Sequence, residues 1–203
     1  MTRHIGVLTL TLMAWRPLVA QSRDPRLDRL APTIRPQVAA IVDSADGAGL
    51  PTGPLIQKAL EGTTKGASDL AVVSAVGALA DALRAARGAL GPRATGDELN
   101  AGAVALRVGA SAQDLAALRA ARAGRDLVVS LGVLSDLVAR GVPADTAARV
   151  VLALAARAQD AEYVAFRRGV ARDITLGVPP IASAFGQLNA SARAALLGGA
   201  KRP

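Results

Sequence analysis

Between Leu55 and Gly66 the chain gathers Lys58, Glu61 and Lys65, two of its three lysines and one of its three glutamates. Spaced three and four residues apart, they share one helical face. Such a row either meets a polar ligand or partner, or pairs with itself in solvent, where each pair contributes about 0.2–0.5 kcal/mol. A second cluster holds Tyr163, Phe166, Arg167, Arg168 and Arg172. Basic and aromatic side chains one turn apart suit an anionic polymer or a protein partner. Equally, the aromatic rings can fill a core and leave the arginines solvated. Lys58, Glu61, Lys65, Tyr163, Arg167, Arg168 and Arg172 are therefore the candidate partner-binding residues.

Nothing else in the chain reads as chemistry. There is no Cys, and the one histidine is His4. Ser68 and Ser111 follow Gly-Ala pairs and read as helix caps rather than nucleophiles, with no histidine in reach as a base. Asp97 and Glu98 are neighbours at a helix start and point apart, a poor acid/base pair. Asp43 to Gly47 lacks the alternating oxygen ligands of a Ca²⁺ loop. A P-loop, Gly-x-Ser-x-Gly and zinc-binding patterns are absent. No catalytic, cofactor-binding or metal residue is assigned, and the chain reads as a non-enzyme.

What must position the two clusters is a turn used four times. Gly66-Ala67-Ser68, Gly109-Ala110-Ser111, Gly141-Val142-Pro143 and Gly177-Val178-Pro179 each join two stretches rich in Ala, Leu and Val. Glycine ends a helix in the left-handed conformation without a Cβ clash. The apolar residue after it packs back on the last turn, and Ser or Pro suits the next start. The glycines are 43, 32 and 36 residues apart. A small connector at near-regular intervals marks stacked helical hairpins, the two helices of each lying side by side.

The expected pairs are about 54–65 with 69–87, 96–108 with 112–123, 126–140 with 144–158, and 161–176 with 180–197. A short helix over 36–45 precedes them. Thr95 to Glu98 matches a capping box, and Asp160 is placed to cap the helix carrying Glu162. Residues seven and three before each glycine share a face and should be buried: Ala59 and Thr63, Gly102 and Leu106, Leu134 and Val138, Val170 and Ile174. Gly77, Gly102, Gly132, Gly169 and Gly186 fall inside helices and would mark close crossings. The fold class is all-α: four degenerate tandem hairpins in a short solenoid or a compact bundle. Half the residues are hydrophobic but only 2% aromatic, so the core is Ala, Leu and Val. The preference for Arg over Lys carries no functional weight at this level.

Residues 1–20 have the pattern of a secretory signal peptide. Arg3 is the basic start, Ile5 to Trp15 the apolar run, and Ala20 the small residue before a cut. The run is too short to span a bilayer. Cleavage after Ala20 removes Arg3, His4, Trp15 and Arg16, so the formal charge falls from +8 to +6. Residues 21–35, charged and Pro-rich, read as a flexible leader, and 36–203 as one helical-repeat domain.

The leading functional expectation is a secreted or periplasmic interaction module that binds a protein partner in the cell envelope, with no nucleic acid if exported. The alternative is a basic protein that binds an anionic surface polymer or lipid headgroups. A third is an enzyme using only carboxylate, Lys, Tyr or Ser chemistry.

Overall fold

The computed structural model describes residues 24–155 and 158–199, with side chains to residue 193. The proposed signal peptide lies outside the described residues. Among them are nine α-helices and no strand: α1 (Arg35–Gly47), α2 (Gly53–Thr64), α3 (Asp69–Leu90), α4 (Gly96–Arg107), α5 (Ala112–Ala121), α6 (Val128–Ala139), α7 (Ala144–Ala155), α8 (Asp160–Thr175) and α9 (Pro180–Gly199).

The repeated turn is what ends these helices. Gly66, Gly109, Gly141 and Gly177 have φ of 70°, 109°, 92° and 90°. At each, the glycine N–H donates to the carbonyl three residues back, and the next N–H donates to the carbonyl five back. At Gly141 these are Val138 at 2.9 Å and Leu137 at 3.0 Å. Two carbonyls that would end the helix unpaired are thereby satisfied. Gly49, at φ 66°, closes α1 with the same two bonds, to Asp46 and Ala45. Among the described residues the turn therefore occurs five times. Ser68 accepts from the Ala71 N–H, Ser111 forms a capping box with Asp114, and Thr95 forms one with Glu98. At α8 the capping differs from expectation. Glu162 accepts from the Gln159 N–H at 2.5 Å, which frees Asp160 for another partner.

Substantial packing always joins helices one or two places apart in the chain. α3, α5, α7 and α9 contact in succession along one row, and α4, α6 and α8 along the other. α2 packs on α3, α6 on α7 and α8 on α9, as side-by-side hairpins. The second unit departs from that expectation. α4 packs mainly on α3 and α6, and α5 on α3 and α7. At Gly102 a Cβ would meet the Leu90 Cδ1 at 3.1 Å, the Ala86 Cβ at 3.2 Å and the Leu115 Cδ2 at 3.2 Å, so the bare backbone suits the close seating of α4 on α3 and against Leu115 of α5. Gly169 is crowded only by the Gln187 side chain, while Gly77, Gly132 and Gly186 meet nothing within 4 Å and mark no crossing.

The core runs the length of the array and consists mainly of Leu, Val and Ala. Residues seven before each stop, Ala59, Gly102, Leu134 and Val170, are all buried. Those three before it are half-buried, except Thr63, which is exposed and donates its hydroxyl to the Ala59 carbonyl. The flexible-leader expectation needs correction. Pro25–Arg29 forms a 3-10 turn, and Leu27, Leu30 and Ile34 are at most 2% exposed. These three covered side chains put the start of the packed domain before residue 36.

Candidate functional site

The Lys58–Glu61–Lys65 row forms on α2 as its spacing requires. Lys58 Nζ lies 3.6 Å from the Glu61 carboxylate, and Lys65 donates a hydrogen bond to it. That bond, with the charge of Lys58 behind it, holds the Glu61 carboxyl below its ordinary value. Lys58 and Glu61 border a shallow cleft of about 500 Å³, with Arg26 from the N-terminal segment and Arg107 of α4. The sequence row is thus one wall of a larger, mainly basic surface. Lys65 lies outside it.

The cluster on α8 divides. Tyr163 is fully buried and Phe166 is 2% exposed, so Tyr163 is withdrawn as a partner contact. Its hydroxyl donates to the Val151 carbonyl at 3.0 Å, and burial raises its pKa against the opposing pull of Arg122. Arg167, Arg168 and Arg172 are exposed, with Arg172 lying 3.3 Å from Asp173. Asp173 is held below the usual carboxylate range chiefly by the Gln187 side chain, which donates to it at 2.6 Å.

The turn after α8 and the start of α9 carry exposed apolar residues absent from the sequence candidates. Leu176 is 75% exposed, Val178 38%, Ile181 46% and Phe185 41%. Comparison with the sister units shows how unusual this is. Four residues after the glycine stop stand Leu70, Gln113, Asp145 and Ile181, and Leu70 is itself 81% exposed. Eight residues after it stand Ser74, Ala117, Arg149 and Phe185. α3 therefore carries one exposed large apolar residue at these two positions, α5 and α7 none, and α9 one at each. Of the counterparts of Val178, Ala110 and Val142 are buried and Ala67 is exposed. The signal was present in the repeat register once the four stops were aligned.

Sequence reading also missed two buried charged nodes. Glu98, 3% exposed, accepts from the Thr95 N–H at 3.0 Å, the Leu127 N–H at 3.0 Å and Arg119 at 2.6 Å. One carboxylate thus ties the starts of α4 and α6 to α5. Burial raises its pKa, but the hydrogen bonds from Thr95, Arg119 and Leu127 outweigh that and hold it low. Arg122, 3% exposed, donates to the Ala158 carbonyl at 2.8 Å and to Asp160 at 2.7 Å, and stacks over Tyr163. Its Nε has no acceptor among the described residues. Arg35 holds the Asp28 and Leu30 carbonyls, and Arg87 the Gly49 and Pro92 carbonyls. The Arg preference now has a structural role, because a guanidinium can reach two turn carbonyls at once and an ammonium is poorly shaped for it. The periodicity held a clue. Arg122 extends the buried Leu115–Leu118 stripe, and Glu98 lies four before buried Gly102.

Comparison with family models, with curated proteins and with solved structures finds no match to this chain. Among the described residues, no helix is long and apolar enough to cross a membrane.

Proposed function

We propose that this chain is a non-catalytic helical-repeat module, exported to the periplasm or beyond, that binds a protein partner through the α8–α9 face. The supporting observation is that, of the four helices that follow a glycine stop, α9 carries exposed large apolar residues at both of these positions, one turn apart. Ile181 and Phe185 are exposed where α5 and α7 carry Gln113, Asp145, Ala117 and Arg149. Exposed aromatic and aliphatic side chains have the composition of a binding hot spot. A solvated surface gains nothing from them.

The second reading, attachment to an anionic envelope polymer or lipid headgroup, is favoured by exposed Arg167, Arg168 and Arg172. The two differ in which residues matter and in salt dependence. Crosslinked capture from the native envelope fraction should be run on the natural chain, on Ile181→Ser with Phe185→Ser, and on Arg167→Gln with Arg168→Gln. A protein partner lost with the apolar pair and retained at raised salt supports the proposal. Capture that depends on the arginines alone and disappears with salt favours the anionic reading. N-terminal sequencing of the native product tests export, with a start at or near Gln21 expected; an intact Met1 on a cytoplasmic product would remove the envelope from both readings.

A further inference from the structure

On a different face, between the connector at Gly91–Arg93 and the connector at Gly124–Asp126, lies a cleft of about 660 Å³. That is the size of sites that hold small molecules, roughly 300–1,000 Å³. We infer that this cleft binds a small carboxylate with a short apolar body.

The donors and acceptors around the cleft do not balance. Its acidic residues are Glu98 and Asp126. Glu98 is already occupied by the Thr95 and Leu127 N–H groups and by Arg119. Asp126 accepts from the Val128 N–H at 2.6 Å. Arg119 spends one nitrogen on Glu98 and another on the Arg125 carbonyl at 3.0 Å, which fixes the connector in place. Arg93 and Arg125 also border the cleft, are exposed, and have no carboxylate partner among the described residues. Two guanidinium groups without a carboxylate partner therefore border a cleft in which Glu98 is fully engaged and Asp126 has one carboxylate oxygen committed to a backbone N–H. The missing complement is an acceptor-rich anion.

The walls narrow the choice. Leu90, Pro92, Ala120 and Ala123 line the same cleft. A bare, strongly hydrated phosphate gains nothing from such walls, whereas a carboxylate carrying a few methylene groups or a ring covers them. A guanidinium fork also matches the two oxygens of a carboxylate in one plane. The base of the cleft is held rigid by the Glu98 node, so little ordering is needed when a ligand enters.

Isothermal titration of the intact chain with hexanoate at low ionic strength tests the inference, with hexanamide and inorganic phosphate as companions. Saturable hexanoate binding is expected, with hexanamide and phosphate weaker by about tenfold or more. Arg93→Gln combined with Arg125→Gln should weaken hexanoate by about tenfold or more, with an unchanged far-ultraviolet dichroism spectrum. Ala120→Glu, at an exposed wall position in α5, should do the same by repulsion and gives an independent reading if the double variant fails to fold. Absence of saturable hexanoate binding would overturn the inference. So would equal binding of hexanamide, tighter binding of phosphate, or hexanoate binding indifferent to the folded variants.

Discussion

The guanidinium of Arg122 lies 5.0 Å from the centroid of the Tyr163 ring, and both side chains are buried. The two are 41 positions apart, one just past α5 and the other on the first turn of α8. The charge is compensated by Asp160 and by the Ala158 carbonyl, and the ring face supplies a further attraction. Arg122→Lys should cost about 2–4 kcal/mol in urea melts, because an ammonium cannot hold both oxygens from that position. Tyr163→Phe keeps the ring and loses only the bond to the Val151 carbonyl, a cost of about 1 kcal/mol. Equal small costs would show that Arg122 does not organise this junction.

Glu98 gives a pH-dependent counterpart. Its native pKa is lowered, so the unfolded chain takes up its proton first as the solution is acidified. The stability Glu98 contributes is complete above the ordinary glutamate value. It is lost as pH falls from there through the lowered native value. Glu98→Gln should cost about 2–3 kcal/mol at neutral pH. The gap between the two proteins should close toward acid. A gap that stays constant in melts from neutral to strongly acidic pH would rule out a charged role for this carboxylate.

The glycine stops and the uncrowded mid-helix Gly132 should respond in opposite directions, with the crowded Gly102 siding with the stops. Gly141→Val and Gly177→Val force a β-branched residue to φ near 90°, a cost of about 1–2 kcal/mol or more each. Gly132 is exposed, with nothing within 4 Å of a Cβ, and Gly132→Ala should gain up to about 1 kcal/mol. Gly102→Ala presses on Ala86, Leu90 and Leu115 and should cost about 1–3 kcal/mol. Denaturant melts of the four variants read the contrast directly; uniform effects would contradict the turn geometry.

The N-terminal segment should be needed for full stability. Leu27 and Leu30 are each 1% exposed. Either one replaced by Ala should cost about 2–4 kcal/mol. A neutral result in thermal melts would mean that the segment does not stay on the domain in solution.

The helix ends were legible because each stop is written in a few adjacent residues. Glycine, an apolar follower and a cap need no tertiary information to act. Helix partners were less legible. The side-by-side expectation for α4 and α5 failed because α4 packs mainly on α3 and α6, a preference set by residues far apart in sequence. The leader was misread for a different reason. Leu27, Leu30 and Ile34 are spaced three and four apart and lead into Val38 and Val42 of α1, but Pro25, Pro32 and Pro36 break the segment and hide that stripe. In the candidate clusters, spacing placed Lys58, Glu61 and Lys65 correctly. It could not say that Tyr163 faces inward while Arg167 and Arg168 face out, nor that Glu98 and Arg122 would be charged residues inside a core.

Because substantial packing reaches only one or two helices along the chain, the Leu27 end and the Phe185 end are coupled only through the helices between them. Stability in such an array accumulates link by link rather than across one shared centre. Opening should therefore begin at a terminus and travel inward, with amide exchange slowest near the Glu98 node and faster in α9. The apolar face of α9 thus belongs to a region that can fray without dissolving the rest. A partner seated there would act as an external end-stop, slowing exchange in α8 and α9 long before it altered anything at α1.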